Sequence, residues 1–106
     1  MIFRGAIYEV RAIGNKQSHE QYGRRYCIVI QSNQFSCSTV TVAMTSTSAG
    51  AAVYRPEVEF LGSKTRILTD QIQSLDHGRF GEFMGVLEAS ELEALDRALL
   101  IKLALL

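Results

Sequence analysis

The sequence predicts a β-rich α+β fold, a small antiparallel barrel with one C-terminal helix, and three observations predict it. Apolar and polar residues alternate in short runs such as Ala6-Ile7-Tyr8-Glu9-Val10-Arg11 and Thr39-Val40-Thr41-Val42-Ala43-Met44, the period of a strand with one face buried. Turn-forming residues punctuate these runs roughly every eight to twelve positions, the spacing of an all-β barrel or sandwich. From Ser90 onward the period becomes helical, with Leu92, Leu95, Leu99, Leu103 and Leu106 on one stripe.

The elements follow in order. Gly5 suits a turn into the first strand. Residues 14–24 are polar and flanked by glycine, so they form a loop, longer than a hairpin needs. Tyr26-Cys27-Ile28-Val29-Ile30 is a continuous apolar run, a strand buried on both faces. Residues 32–36 connect it to the third strand, Thr39–Met44, and residues 45–52 are small and polar. Glu57–Leu61 alternates into a turn at Gly62-Ser63. Arg66–Thr69 and Gln71–Leu75 read as two short strands parted at Asp70, and Glu82–Leu87 as the last. Ser90-Glu91-Leu92-Glu93 matches a capping box with Ser90 as the N-cap. The helix ends on Leu99-Leu100-Ile101-Lys102-Leu103-Ala104-Leu105-Leu106, apolar nearly all round. So much apolar surface calls for a second packing partner, either another copy of the chain or a sandwich within one subunit.

A chain of 106 residues, 47% of them hydrophobic, is expected to form one domain over residues 1–106 with a modest core. The formal net charge is zero, which taken alone argues weakly against a nucleic-acid binder. The distribution says more. Residues 1–50 hold five basic side chains (Arg4, Arg11, Lys16, Arg24, Arg25) against Glu9 and Glu20, and the second half is acidic by the same margin. Either a local positive patch or two solvated faces of opposite sign accounts for this. The N-terminus lacks the apolar segment of a signal peptide, and the longest apolar run falls far short of the ~20 residues of a membrane span. A cytosolic protein with reduced thiols is the expected setting. Cys27 falls in an apolar strand pattern and belongs in the core, whereas Cys37 lies in a polar stretch. Neither pairs with a histidine at metal-ligand spacing, so no metal site is expected.

Four blocks stand in sequence: Arg4-Gly5-Ala6-Ile7-Tyr8; His19-Glu20-Gln21-Tyr22-Gly23-Arg24-Arg25 running into Ile28-Val29-Ile30-Gln31; Val40-Thr41-Val42-Ala43-Met44-Thr45-Ser46; and Asp70-Gln71-Ile72-Gln73-Ser74-Leu75-Asp76. In order and spacing they resemble the MazF/PemK (Kid) toxin family, and the resemblance runs the whole length of the chain. It implies an SH3-like barrel, also shared with CcdB, that forms a homodimer. It further implies a toxin of a type II toxin–antitoxin system that cuts single-stranded RNA at short sequences without metal or other cofactor, leaving a 2′,3′-cyclic phosphate and a 5′-hydroxyl. A cognate antitoxin is the implied protein partner.

Metal-free RNA cleavage needs a group to take the 2′-OH proton, a group to protonate the leaving 5′-oxygen, and a group to offset charge on the phosphorane. Arg25 leads into a buried strand, and its guanidinium fork suits a phosphate. With a pKa above ~12 it is a poor base. It is assigned to phosphate, with Arg24 the lesser of the two arginines; the alternative is a surface ion pair with Glu20. The resemblance places Thr45 at the scissile phosphate with Ser46 beside it, although a threonine ending a strand is common in any barrel. His19, Glu20 and Gln21 fall in the family's RNA-flanking stretch, and His19 titrates near neutrality. Asp70, beside Gln71, matches a residue proposed as base in Kid-like members; a plain turn aspartate is the other reading. Two departures stand out. Tyr26 occupies a position where the family usually has proline, and an aromatic ring there can stack on a base. Leu68 occupies the position of an arginine that partners the aspartate in Kid-like members. Arg66 is nearby in sequence, but nothing in the sequence sets it against Asp70. Two other functions fit the fold: a CcdB-like gyrase inhibitor that cuts nothing, and a non-catalytic RNA- or protein-binding barrel. Salt separates them, since an RNA-binding site loses affinity steeply as salt rises.

Overall fold

The computed structural model describes residues 2–11 and 25–106. Six strands form one curled antiparallel sheet, a half-barrel: β1 (Ala6–Val10), β2 (Arg25–Val29), β3 (Thr39–Ser46), β4 (Glu57–Phe60), β5 (Ser63–Asp76) and β6 (Phe80–Val86). Their order across the sheet is β4-β5-β3-β2-β1-β6. A 3-10 turn at His77–Arg79 joins β5 to β6, and helix α1 (Ala89–Lys102) follows. No helix among the described residues is long and apolar enough to cross a membrane.

The alternation seen in the sequence sorts the side chains onto two faces. Ala6, Tyr8, Cys27, Val29, Val40, Val42 and Met44 join Leu75 and Phe80 on one face. Ile7, Ile28, Ala43, Val58 and Ile67 meet Leu87, Leu95 and Leu99 on the other, beneath α1. β2 is therefore buried on both faces from Cys27 to Val29, as its apolar run predicts. Leu95 is fully buried, and burial of one such side chain is worth about 1.5–3 kcal/mol. Arg4 ties the entry of β1 to both neighbours. Its Nε donates to Ile30 O at 2.9 Å, and its Nη1 lies 2.8 Å from Asp96 of α1. Gly5 takes φ +90 at that turn, as only a residue without Cβ does readily.

Four elements differ from the sequence reading. The two short strands around Asp70 are one strand, β5, interrupted by a bulge: Ala43 faces Ile72, but Met44 faces Leu68. Thr69, Asp70 and Gln71 are therefore extra residues without partners on β3. β6 starts at Phe80, earlier than the expected Glu82. The helix is capped by Glu88 and not by Ser90. Glu88 N donates to the Glu91 carboxylate at 2.9 Å, and Glu91 also accepts from Glu59 N of β4 at 3.2 Å. Ser90-x-x-Glu93 has the same spacing, but only the Glu88 frame places the carboxylate at position N3 within reach of β4. Finally, the apolar end of α1 is not sandwiched within the chain: Ile101, Leu103, Leu105 and Leu106 are exposed. The helix stops with Ala104 in the left-handed region at φ 58, while Leu105 N bonds Leu100 O at 2.9 Å in a Schellman-type closure.

Candidate functional site

At one end of the half-barrel, three pieces of chain meet. β2 opens with Arg25 and Tyr26. β3 ends in Thr45 and Ser46, and its continuation supplies Thr47 and Ser48. The β4–β5 hairpin adds Phe60, Leu61, Ser63 and Thr65. Together they line a cleft of about 340 Å³. Phe60 pairs with Ser63 across a two-residue turn in which both Leu61 (φ 55) and Gly62 (φ 75) are left-handed. That is the hairpin geometry that matches strand twist. It costs a leucine some strain and leaves Leu61 exposed at the rim of the cleft.

The register fixes the contacts. Cys27 faces Met44, so the next position outward brings Tyr26 against Thr45, and the buried Thr45 hydroxyl donates to Tyr26 O at 3.0 Å. The two strand ends that carry Arg25 and Ser46 are joined by this bond. Beyond it, Ser48 N donates to Ser46 Oγ at 3.2 Å, and the two serine hydroxyls lie 3.3 Å apart. The Tyr26 ring meets Phe60 edge to face at 5.6 Å. Arg25 is exposed, and among the described residues its guanidinium has no hydrogen bond or ion pair. It is also the one charged side chain among the described residues lining the cleft. Five unsatisfied donors, a row of hydroxyls and an aromatic wall suit an anion joined to a flat ring.

A larger cleft, about 490 Å³, lies between the N-terminal segment and the β2–β3 connection. Its polar groups are mostly engaged: Gln31 bonds Thr41 N and Phe35 O, Asn33 accepts from Arg4 N, and His77 bonds Cys37 O. Among the described residues no lysine, arginine or carboxylate lines it, so there it offers less to a charged ligand than the smaller cleft.

Of the residues singled out in the sequence, Arg25, Tyr26, Thr45 and Ser46 come together. His19, Glu20, Gln21 and Arg24 lie outside the described residues. Asp70 and Gln71 do not line the cleft. They sit on the β5 bulge, three and four residues beyond the Ile67 that faces Thr45, roughly 10 Å along the strand at ~3.3 Å per residue. Asp70 is held by Arg55, whose Nε donates to Oδ1 at 3.2 Å and Nη2 to Oδ2 at 2.9 Å. The hydrogen bonds from Arg55 hold the Asp70 carboxyl below the usual carboxylate range, against a smaller opposing effect of burial, and they raise Arg55 in turn. Arg66 is not the partner of Asp70: it pairs with Glu57 at 3.3 Å. The sequence reading missed Arg55, whose signal was faint, a lone arginine before Pro56 after a small polar stretch. It also missed Phe60 and Thr65 as cleft walls. Among the described residues no set of three His, Cys, Asp or Glu side chains gathers to hold a metal ion.

Residues 3–103 match the PemK-like, MazF-like toxins of type II toxin–antitoxin systems. A protein of Mycobacterium tuberculosis (strain ATCC 25618 / H37Rv), named "Putative toxin Rv3098A", is 52% identical over 75 residues, 71% of each chain. Among solved structures, an endoribonuclease from a mycobacterial species, in complex with its cognate antitoxin, superposes with a TM-score of 0.80 at 17% identity, over 100% of this chain and 98% of that one. The M. tuberculosis toxin MazF-mt6 gives 0.75 at 18% identity, covering 93% and 96%. MazF from Deinococcus radiodurans gives 0.74 at 20% identity, covering 97% and 96%.

Proposed function

The chain belongs to the PemK-like, MazF-like toxins of type II toxin–antitoxin systems, and from that premise we propose that its Arg25 cleft binds and cuts single-stranded RNA. One observation carries the reading: among the described residues, an arginine with no partner stands at a cleft of hydroxyls and aromatic rings that no carboxylate lines.

In the proposed reaction the ribose 2′-oxygen attacks the adjacent phosphorus and the bond to the 5′-oxygen breaks. A 2′,3′-cyclic phosphate and a 5′-hydroxyl result. Arg25 spans two non-bridging oxygens, whose charge grows in the phosphorane, so its contribution is largest in the transition state. Ser46 donates a hydroxyl to the same phosphate. Thr45, through its bond to Tyr26 O, holds the start of β2 so that Arg25 meets the phosphate without reorganisation. Tyr26 and Phe60 offer a surface on which a base stacks. His19 and Glu20 carry the proton transfers, an assignment from residue type. By likeness to the endoribonuclease solved with its cognate antitoxin, the protein partner is an antitoxin. The exposed Ile101, Leu103, Leu105 and Leu106 favour pairing with a second copy of the chain, which sedimentation equilibrium measures directly.

The test is incubation of the purified chain with a long single-stranded RNA in EDTA, over a series of salt concentrations, beside Arg25→Ala. Discrete fragments with 5′-hydroxyl ends, suppressed by salt and lost in the variant, are the expected result. Intact RNA across several unrelated sequences would overturn the reading.

A further inference from the structure

The connection between β3 and β4 begins in the cleft and ends on β5. Thr47 and Ser48 line the cleft, and the other end is fastened along β5 by side chains from both partners. Arg55 grips both Asp70 oxygens, while its Nη1 reaches back to Gly50 O at 3.2 Å. Thr69 Oγ1 donates to Tyr54 O, and Ile67 N donates to Pro56 O at 2.9 Å. The Tyr54 ring has Lys102 Nζ of α1 4.5 Å from its centre. Arg55 thus links the β5 bulge to the middle of the connection, two residues from Ser48. The bulge is what makes this possible, since it takes Asp70 out of the ladder with β3. A carboxylate with each oxygen engaged by one guanidinium is well made for holding and poorly made for accepting a proton.

We propose that Arg55 and Asp70 form a charged strut that holds the Thr47–Pro56 connection in place and so sets the affinity of the Arg25 cleft, with Asp70 a positioning residue and not the base of the reaction. The affinity part rests on the RNA-cutting reading above; the strut itself does not. Two readouts keep them apart: hydrogen exchange at the amide of residue 55 in the full chain without RNA, and the dependence of cleavage rate on RNA concentration.

In Asp70→Asn, the amide of residue 55, which donates to Ala52 O at 3.0 Å, exchanges faster while those of β2 and β3 keep their protection. KM for a single-stranded RNA that the native chain cuts rises about tenfold, kcat changes by less than about twofold, and the pH profile of kcat keeps its shape, as expected for lost binding in place of lost chemistry. Arg55→Lys, which keeps the charge and loses the fork, falls between. The exchanged pair Arg55→Asp with Asp70→Arg recovers protection and KM together, because a strut needs opposite charges and not a particular order of them. A fall in kcat of about 100-fold or more with a lost limb of the pH profile, the signature of a proton-transfer group, overturns the proposal. So does unchanged exchange in both single variants. If the native chain cuts no RNA, the reading of the cleft fails, and the exchange arm still decides the strut.

Discussion

Arg25 and Arg55 stand at opposite ends of the same function of their type. Both are guanidinium groups just outside or at the start of a strand, Arg25 opening β2 and Arg55 two residues before β4. Arg55 has Asp70, Gly50 O and the Tyr54 ring, so its donors are committed within the fold. Arg25 has no partner among the described residues and lines an open cleft. An arginine whose donors are spent stabilises what it touches, while one whose donors are free is available to a ligand. Residue type alone gives no hint of the difference, since it lies in what each side chain meets.

The sharpest way to break that contrast is Arg25→Ala. It lowers the cleavage rate about 100- to 1,000-fold, the loss expected when a donor to developing charge is removed, and leaves the urea midpoint unchanged. A lower midpoint would show that Arg25, like Arg55, holds structure. Thr45→Val comes next. It strips the Tyr26 carbonyl of its donor and destabilises the fold by about 1–2 kcal/mol in urea unfolding, while Thr45→Ser retains the bond and most of the stability. The acid side tests the strut. Because the Asp70 carboxyl is depressed by Arg55, its stabilisation is complete above the usual carboxylate range. It is lost as pH falls below that range and through the lower folded value. Protection of the residue 55 amide against exchange is therefore complete above the usual carboxylate range and fades as pH falls below it. The groups around Asp70 in that titration are Arg55 and Lys102. The smallest effect is Tyr26→Phe, which keeps the edge-to-face contact with Phe60 and changes cleavage by about twofold or less, whereas Tyr26→Ala removes the stacking surface and costs about tenfold.

Much of the fold was legible because alternation and burial have one cause. Cys27 was placed in the core from its apolar neighbours, and burial pushes its thiol up to about 12. A thiol reagent at about pH 8 is therefore expected to label the exposed Cys37 and spare Cys27 in the native chain. The helix was legible, but its cap was not. Two overlapping Ser/Glu and Glu/Glu frames offered the same spacing, and the choice fell to Glu59 N on β4, a contact distant in sequence. The break at Asp70 was visible as a change of pattern, yet a bulge and a turn look alike until the strands are paired. Half of the candidate site was legible for a different reason. Arg25, Thr45 and Ser46 stand in blocks that carry the family resemblance, whereas Phe60 and Thr65 enter the cleft only through the hairpin that folds β4 back onto β5. The partner of Asp70 was not legible, because Arg55 lies fifteen residues away and reaches it across a connection.

The carboxylate of Glu91 has a consequence beyond the helix it begins. Among the described residues β4 is an edge strand, and an edge strand exposes amides onto which a strand from another molecule can add. Glu91 occupies one of them, Glu59 N, from the side where such a strand would lie. The charge flanks the edge and fills a hydrogen bond that an intruding backbone would need. The start of α1 thereby acts as a guard against edge-to-edge aggregation at the rim of the sheet.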